Sequence, residues 1–323
     1  MSVVNQPQNT HTTSKIRSKL FAHFNTIDIY VIGLSSIYVV LSIVFFNQIK
    51  WAGRLIGVNI LIFIMVTSLA YFNSRRKSLI LDVTHNFYII PMILVMFNQV
   101  FYFIPIVHPY DYDTMLIAWD RAIFGANPTE VLQRISNPYL TEFLQLCYMS
   151  FFFHGLAQGI EMYIGNRKDD VKIIARQIGF GYFVSYILYF VFPAIGPRFT
   201  VHDFATLSNE LPGLWLTEPI RHFINAGDSI KIGELYPALV VNRDCMPSGH
   251  TMMTVMNIII GFQLRSKQRW IFLVIGSCLI FSTVYLRYHY VVDVIAGIIF
   301  AFIVMWIEPK LWRLLRAKKW VAK

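Results

Sequence analysis

Charged residues are scarce in this chain. Asp, Glu, Lys and Arg make up 14% of its 323 residues, and hydrophobic residues make up 56%. Soluble domains contain about 25% charged residues, so the composition excludes an ordinary soluble protein if the apolar runs are long enough to cross a bilayer, about 20 residues each. Eight segments are candidates: Ile27–Phe46, Leu55–Phe72, Leu79–Val107, Tyr139–Ile164, Ile178–Pro193, Met252–Leu264, Trp270–Leu286 and Val291–Trp306. The sequence therefore predicts an all-α integral membrane protein with about eight transmembrane helices.

Cysteine is also rare. Cys147, Cys245 and Cys278 are too few for a disulfide framework and show no metal-ligand spacing. Clustered carboxylates of the kind that hold Mg²⁺ are missing as well, so we expect no metal and no cofactor. The pattern of a cleavable signal peptide is missing from the first 26 residues, which are polar and basic. The first apolar run is therefore predicted to be a retained anchor.

The net charge of +10 raises the possibility of nucleic acid as a partner, but its distribution argues against this. If the N-terminus is cytoplasmic, 19 of the 28 Lys and Arg residues fall in the inner segments. This is the positive-inside pattern of membrane proteins. The basic residues thus encode orientation, and their partner is the anionic inner leaflet of the bilayer.

We divide the chain into a disordered cytoplasmic tail (1–20), a polytopic membrane catalytic domain (21–310) and a basic cytoplasmic tail (311–323). Within the domain, residues 108–138 mix apolar and charged positions at helical spacing, which predicts an interfacial helix on the outer surface. The outer segment 194–247 is too long for a simple connector and is expected to be functional.

Three polar clusters fall at the same predicted face of the membrane. "FPAIGPRF" ends the fifth apolar segment, "DCMPSGHTMMT" opens the sixth, and "RYHYVVD" joins the last two. Counting crossings from a cytoplasmic N-terminus places all three outside. Their convergence at one surface predicts an extracytoplasmic active site.

The "PSGH" cluster has the features of an anion site at the start of a helix. Ser248 is a favourable N-cap residue, and the free amides of the first turn, with the helix dipole, attract phosphate. Gly249 permits close approach to the backbone, and His250 can donate a proton to a leaving oxygen. The alternative is a capped helix start with an interfacial histidine.

The second cluster contains His289 and Asp293, which are four residues apart and are therefore predicted to share one face of a helix and to lie within reach of each other. A carboxylate that binds one ring nitrogen leaves the other free to attack. Arg287 can hold phosphate oxygens in a bidentate manner. The alternatives are a structural His–Asp hydrogen bond and an arginine that reaches the lipid headgroups.

Other polar residues are harder to interpret. His154 and Glu161 share a helix face and form either an intramembrane pair or part of a headgroup pocket. Asp111 and Asp113 either lie in a solvated loop or bind a headgroup or cation. The remaining predictions are that Arg243 pairs with Asp244 and that Cys245 only packs.

The two motifs together resemble the type 2 phosphatidic acid phosphatase superfamily, over residues 180–306. "PSGH", a helix and then "S…H-x3-D" are similar to its second and third motifs. The resemblance implies a six-helix core and metal-independent transfer through a phosphohistidine. His289 would be the nucleophile, Asp293 its orienting group and His250 the general acid, while Ser248 and Gly249 would cradle the phosphoryl group.

This chain departs from the family pattern at its basic residues. Ser282 is followed by Thr283 instead of Arg, and the arginine stands at Arg287. In the first motif the family has Lys, six residues and then Arg-Pro, whereas here Arg198 follows a proline and Val191 replaces the lysine. We expect Arg198 and Arg287 to bind phosphate instead. "STVYLRYHYVVDVIAG" is closer to the inositol phosphorylceramide synthase-like branch.

The sequence leaves three functions open. A phosphoryl group from a lipid phosphate or phosphodiester passes to water in a lipid phosphate phosphatase, or to a lipid hydroxyl in an inositol phosphorylceramide synthase-type phosphotransferase. The third alternative is a non-catalytic lipid transporter or scaffold. The expected partners are a lipid phosphate and the bilayer; the oligomeric state stays open.

Overall fold

A computed structural model describes residues 23–321. These residues form helices and connecting segments, and no β-strand occurs among them. The α-helices in chain order are α1 Thr26–Val44, α2 Ala52–Arg75, α3 Leu79–Phe87, α4 Ile89–Val107, α5 Asp113–Phe124, α6 Pro128–Gln133, α7 Pro138–Met149, α8 Phe151–Ile164, α9 Lys168–Tyr189, α10 Pro197–Thr200, α11 Leu207–Glu210, α12 Thr217–Gly227, α13 Pro237–Val240, α14 Gly249–Gln263, α15 Arg269–Tyr285 and α16 Val291–Ala317. The predicted tail 1–20 lies outside the described residues.

Among residues 23–321, four helical segments are long and apolar enough to cross a membrane: α1, α2, the α3–α4 pair and α16. Helix α15 is apolar but shorter. Large apolar side chains remain exposed along them, including Leu61 on α2 and Phe302 on α16, which are 65% and 58% exposed. An aqueous solvent would make such exposure unfavourable, whereas lipid would not. The all-helical fold and the membrane character predicted from composition are thus confirmed.

The third apolar segment is interrupted where the sequence contains a proline. Helix α3 ends at Phe87, Tyr88 stands between the helices, and α4 contains Pro91 in its first turn. Proline has no amide hydrogen, so the carbonyl of Phe87 loses the helical donor four residues ahead. Pro91 therefore accounts for the interruption between the two helices.

The fourth apolar segment is also two helices, α7 and α8, which meet at Ser150. The Ser150 hydroxyl donates to the Cys147 carbonyl at 2.6 Å and lies 3.0 Å from the His154 ring. A serine side chain that bonds its own helix backbone competes with the regular ladder and bends it.

The last helix extends beyond its predicted end at Trp306 and continues to Ala317 through Pro309. Glu308 is fully buried in this extension, where it forms an ion pair with Arg176 of α9 and accepts a hydrogen bond from Tyr30 of α1. The residues read from the sequence as a separate basic tail therefore begin as part of the helical bundle.

Opposite ends of the bundle carry different polar clusters. Glu308 lies near the C-terminal end of α16, and Asp28 lies near the N-terminal end of α1, where it contacts His85 and Tyr88. The three motif clusters meet at the other end, at the start of α14 and α16. The fold thus brings together the three regions that the sequence predicted to converge.

The long segment 194–247 is folded over this end by carboxylates of the bundle. Glu142 of α7 accepts hydrogen bonds from the amides of residues 214–217 and from the Thr217 hydroxyl. One buried carboxylate therefore fixes the start of α12. The predicted interfacial region 108–138 contains α5 and α6; its position at a lipid surface stays a prediction.

Candidate active site

The start of α14 has the predicted cap. Ser248 is the N-cap residue, and its Oγ accepts a hydrogen bond from the Thr251 amide at 3.2 Å. This satisfies one of the amide groups that were expected to face a ligand. The amides of Gly249 and His250 are therefore the ones left at the helix N-terminus, where the helix dipole favours an anion.

The two motif histidines lie opposite each other because α14 and α16 meet at their N-termini. The Ser248 amide donates to the carbonyl of Asp293 at 3.1 Å, which joins the first turns of both helices. The centroids of the His250 and His289 rings are 5.7 Å apart. Residues separated by 39 positions thus form one site.

His289 precedes helix α16, which begins at Val291, so the prediction that His289 and Asp293 share a helix face is wrong. They are nevertheless close: Nδ1 of His289 lies 3.6 Å from Oδ2 of Asp293. Asp293 is held in this place because its Oδ2 accepts from the Tyr290 amide at 3.0 Å, a cap within the first turn of α16.

The closest partner of the His289 ring is a backbone oxygen. Nδ1 lies 2.9 Å from the carbonyl of Cys245. A carbonyl only accepts, so this contact places the proton on Nδ1 and leaves the lone pair on Nε2. The orientation that the sequence assigned to Asp293 alone is therefore shared with the Cys245 backbone.

Cys245 does more than pack, contrary to the prediction. Its thiol donates to Oδ2 of Asp293 at 2.8 Å and lies 3.5 Å from Nδ1 of His289. One ligand atom from each of Cys245, His289 and Asp293 lies within 4.8 Å of the others, so these three buried residues could hold a metal ion. The expectation of no metal site rested on sequence spacing. Spacing could not predict this cluster, because Cys245 lies 44 positions from His289 and 48 from Asp293.

Arg287 is fully buried beside the site. Its backbone has a φ of +68°, in the left-handed region, two residues after the end of α15. Nη1 forms an ion pair with Oε2 of Glu210 at 2.5 Å. Within residues 23–321, the other two guanidinium nitrogens, Nε and Nη2, have no hydrogen-bond acceptor.

Arg198 is also buried, only 4% exposed, and is engaged by the outer segment. Its Nη2 lies 2.5 Å from Oδ2 of Asp228, and Nη1 donates to Asn225 at 2.9 Å. The guanidinium carbon lies 4.8 Å from the centre of the Tyr288 ring. The Arg198 amide donates to the Arg287 carbonyl at 3.1 Å, so the two arginines are neighbours.

Burial and neighbouring charges shift the pKa of two carboxyl groups in the segment 194–247, Glu210 and Asp244. A hydrogen bond from the Thr206 hydroxyl lowers the pKa of Glu210; burial opposes this, and the charge of Arg287 lowers the pKa further. Burial, together with the charge of Asp228, raises the pKa of Asp244 to about 7. Glu210 is thus an anion at neutral pH, whereas burial favours the neutral form of Asp244.

Two further carboxylates position the loops of the site. Asp113 accepts from the amides of Ile195 and Gly196 and from the Tyr290 hydroxyl. Asp120 accepts from the first two amides of α16, at 3.0 and 2.9 Å. Burial raises the pKa of both groups, and hydrogen bonds to them oppose the rise. The sequence predicted that Asp113 either lies in a solvated loop or binds a headgroup or cation. It gave no indication of a role for Asp120.

Aromatic side chains line the site around His250. Its ring stacks on Tyr148 and lies against Phe151, with centroid distances of 4.5 and 4.3 Å. Tyr148 stacks in turn on Tyr288 at 4.4 Å. These contacts fix the orientation of the imidazole and exclude water from one side of it.

Several predicted polar partners are different in the structure. Arg243 pairs with Asp111 at 2.5 Å and not with Asp244. Glu161 accepts from the Ser266 hydroxyl and the amide of the following residue, whereas His154 contacts Ser150. His154 and Glu161 are therefore not a pair, because each is engaged by a different neighbour.

A sequence model described as the PAP2 superfamily matches residues 114–307 of this chain. The match begins well before residue 180, where the motif resemblance began, and so includes Asp120 and Glu142. Comparison with curated proteins and with solved structures gave no match. With more than half of its length matched, the chain belongs to the PAP2 superfamily, whose members act as phosphatases or phosphotransferases on phosphate esters.

Proposed function

We propose that this protein transfers a phosphoryl group from a lipid phosphate or phosphodiester through a phosphohistidine at His289. The observation that carries the proposal is the pairing of the His250 and His289 rings at the joined N-termini of α14 and α16. One ring can attack phosphorus while the other serves the leaving oxygen, and the helix amides lie beside them.

In the first step, the Nε2 lone pair of His289 attacks phosphorus and the bond to the leaving oxygen breaks. His250 donates a proton to that oxygen. The hydrogen bond from Nδ1 to the Cys245 carbonyl and the nearby Asp293 carboxylate stabilise the positive charge that develops on the His289 ring. In the second step, the acceptor hydroxyl gives its proton to His250 and attacks the phosphohistidine.

The buried guanidinium of Arg287 supports phosphate as the ligand. The guanidinium forms an ion pair with Glu210 through Nη1, but its Nε and Nη2 have no acceptor among the described side chains and backbone. Buried donors without an acceptor are costly, and phosphate oxygens would satisfy them. Arg198 has the same charge and is likewise paired with a carboxylate, that of Asp228. To bind both cations, substrate phosphate therefore has to displace Asp228 from Arg198 and Glu210 from Arg287.

The acceptor is the second part of the proposal. Water gives a lipid phosphate phosphatase, and a lipid hydroxyl gives a phosphotransferase of the inositol phosphorylceramide synthase type. The form of the third motif, with Arg287 inside "RYHYVVD", favours the synthase alternative. The chemistry at phosphorus is the same in both cases.

We further propose eight membrane crossings, cytoplasmic termini and an extracytoplasmic active site. The distribution of 19 of 28 basic residues in the inner segments supports this orientation. The separation of the motif clusters from the Glu308 cluster at the other end of the bundle is consistent with it.

The acceptor can be identified by thin-layer separation of products from purified protein and radiolabelled lipid phosphates, with and without ceramide. Free phosphate identifies the phosphatase, and a new phospholipid identifies the phosphotransferase. We expect the same product in EDTA, since the site lacks a set of oxygen ligands for Mg²⁺. No product under any condition, or activity that requires added Mg²⁺, contradicts the proposal.

His289→Ala should reduce turnover by about 10³-fold or more, because it removes the covalent route. Asp293→Asn should lose less, since the Cys245 carbonyl still orients the ring. His250→Ala should be partly rescued by a p-nitrophenyl phosphate ester, whose leaving group needs little protonation, whereas His289→Ala should not.

His222, an exposed histidine of α12, supplies the matched control for these rates. His222→Ala should keep the parent rate, and size-exclusion profiles should show that all the variants are folded. Near-normal turnover in folded His289→Ala protein would exclude His289 as the nucleophile.

Asp228→Asn should tighten inhibition by inorganic phosphate several-fold, because Arg198 would lose its competing anion. Asp203→Asn is the matched control, since Asp203 is exposed and caps only a short turn of the same segment. Inhibition constants measured at pH 7 provide the comparison. An unchanged or weaker phosphate inhibition in Asp228→Asn means that Arg198 does not bind the phosphate.

A membrane-impermeant maleimide should label Ile232→Cys in intact cells, because residue 232 is 86% exposed in the outer segment. Lys267→Cys, exposed between α14 and α15, should react only after rupture of the cells. Labelling is measured against the parent protein with its native cysteines. The opposite pattern reverses the proposed orientation.

A further inference from the structure

Cys245, His289 and Asp293 bring three different metal-binding groups together behind the reactive face of His289. Sγ lies 2.8 Å from Oδ2 and 3.5 Å from Nδ1, and Nδ1 lies 3.6 Å from Oδ2. All three residues are buried. The proposed phosphoryl transfer uses Nε2, so the cluster lies on the opposite side of the imidazole from the attack.

Within the described part of the chain, one of the two carboxylate oxygens of Asp293 lacks a hydrogen-bond donor. The residue is 0% exposed, and its Oδ1 has no hydrogen-bond partner among the residues that the structure describes. A buried carboxylate oxygen without a donor is unfavourable. A bound cation would supply the missing positive charge at this carboxylate.

The distances within the cluster suit a small tetrahedral ion. Zn²⁺ binds thiolate sulfur at about 2.3 Å and imidazole nitrogen at about 2.0 Å, which separates neighbouring ligand atoms by about 3.5 Å. Two of the three separations already have this value. The third, between Sγ and Oδ2, is a thiol hydrogen bond, which lengthens once the proton between the two atoms is lost.

The chemistry of the ligands selects the kind of ion. Thiolate and imidazole favour Zn²⁺ and similar soft ions, whereas Mg²⁺ and Ca²⁺ prefer sets of oxygen atoms. The side chains of the cluster offer one sulfur, one nitrogen and a single carboxylate. An ion held here has the Cys245 carbonyl, 2.9 Å from Nδ1, beside it for a fourth contact.

We propose that Cys245, His289 and Asp293 form an inhibitory site for a thiophilic divalent cation such as Zn²⁺ or Cd²⁺. The binding site follows from the cluster alone; its inhibitory effect rests on the proposed function. Binding releases the thiol proton to solvent and forms bonds from the ion to Sγ, Nδ1 and a carboxylate oxygen.

Inhibition follows from the position of the ion on His289. Coordination requires the lone pair of Nδ1, so the ring proton moves from Nδ1 to Nε2 and the hydrogen bond to the Cys245 carbonyl is lost. A protonated Nε2 has no lone pair with which to attack phosphorus. The ion thus holds the histidine in the unreactive tautomer without occupying the place of the phosphate.

Direct binding can be measured with Cd²⁺ on the purified full-length protein, through the ultraviolet charge-transfer band of a cadmium–thiolate bond. Because the Cys147 and Cys278 thiols lie beside each other, the titration is performed in Cys278→Ser as well as in the parent. We expect a band of one-to-one stoichiometry in Cys278→Ser that disappears in the double variant Cys245→Ser/Cys278→Ser. Persistence of the band in the double variant overturns the site.

The kinetic consequence is tested by adding Zn²⁺ to the activity assay. Zn²⁺ should lower kcat and leave KM unchanged, because the ion and the phosphate lie on different sides of the imidazole. Cys245→Ser should raise the half-inhibiting concentration about tenfold or more relative to Cys278→Ser, as expected for loss of a ligand. Equal sensitivity of the two variants, or an increase in KM alone, contradicts the mechanism.

The two experiments separate the inference from the proposed function. A Cys245-dependent cadmium band in a protein that turns over no phosphate ester supports the binding site and contradicts the enzymatic proposal. Activity without that band contradicts the binding site and leaves the enzymatic proposal standing.

Discussion

The close crossing of α14 and α16 is the constraint on which the site depends. Gly297 lies at the contact, and a Cβ at this position would stand 2.7 Å from the Ser248 carbonyl oxygen and 3.1 Å from Cβ of Thr251. Such distances leave no space for a side chain. The missing side chain lets the Ser248 amide reach the Asp293 carbonyl, and this hydrogen bond brings the histidines of two separate motifs together.

The crossing also explains why several polar groups can be buried at this end of a membrane bundle. Asp120 and Asp293 satisfy the amides at the start of α16, and Ser248 satisfies an amide of α14. Buried carboxylates are costly unless several donors reach them. Helix N-termini provide such donors at high density, so the carboxylates that stabilise the fold and the histidines of the candidate site lie in the same place.

The sequence was sufficient for the features that depend on local pattern. Length and hydropathy predicted a helical membrane protein, and the Ser248 cap followed from the preference of serine for helix N-termini. Proximity of His289 and Asp293 was also predicted, but for the wrong physical reason, because a turn and not a helix joins them. The turn between α15 and α16 depends on the left-handed backbone at Arg287. Because arginine rarely adopts this conformation, the sequence did not indicate the turn.

The partners of the charged groups could not be predicted, because they come from distant parts of the chain. Asp113 lies 177 positions from Tyr290, and Arg198 lies 30 from Asp228. Sequence proximity instead suggested a pair between Arg243 and Asp244. In the folded chain Arg243 pairs with Asp111.

The contacts of Cys245 could not be predicted either, because its partners also come from a distant part of the chain. Its position three residues before Ser248 indicates only a residue near a helix start. The fold adds both a thiol beside Asp293 and a carbonyl beside His289. The motif therefore identifies His289 as a candidate residue, whereas the contact with the Cys245 carbonyl determines which nitrogen of its ring keeps a free lone pair.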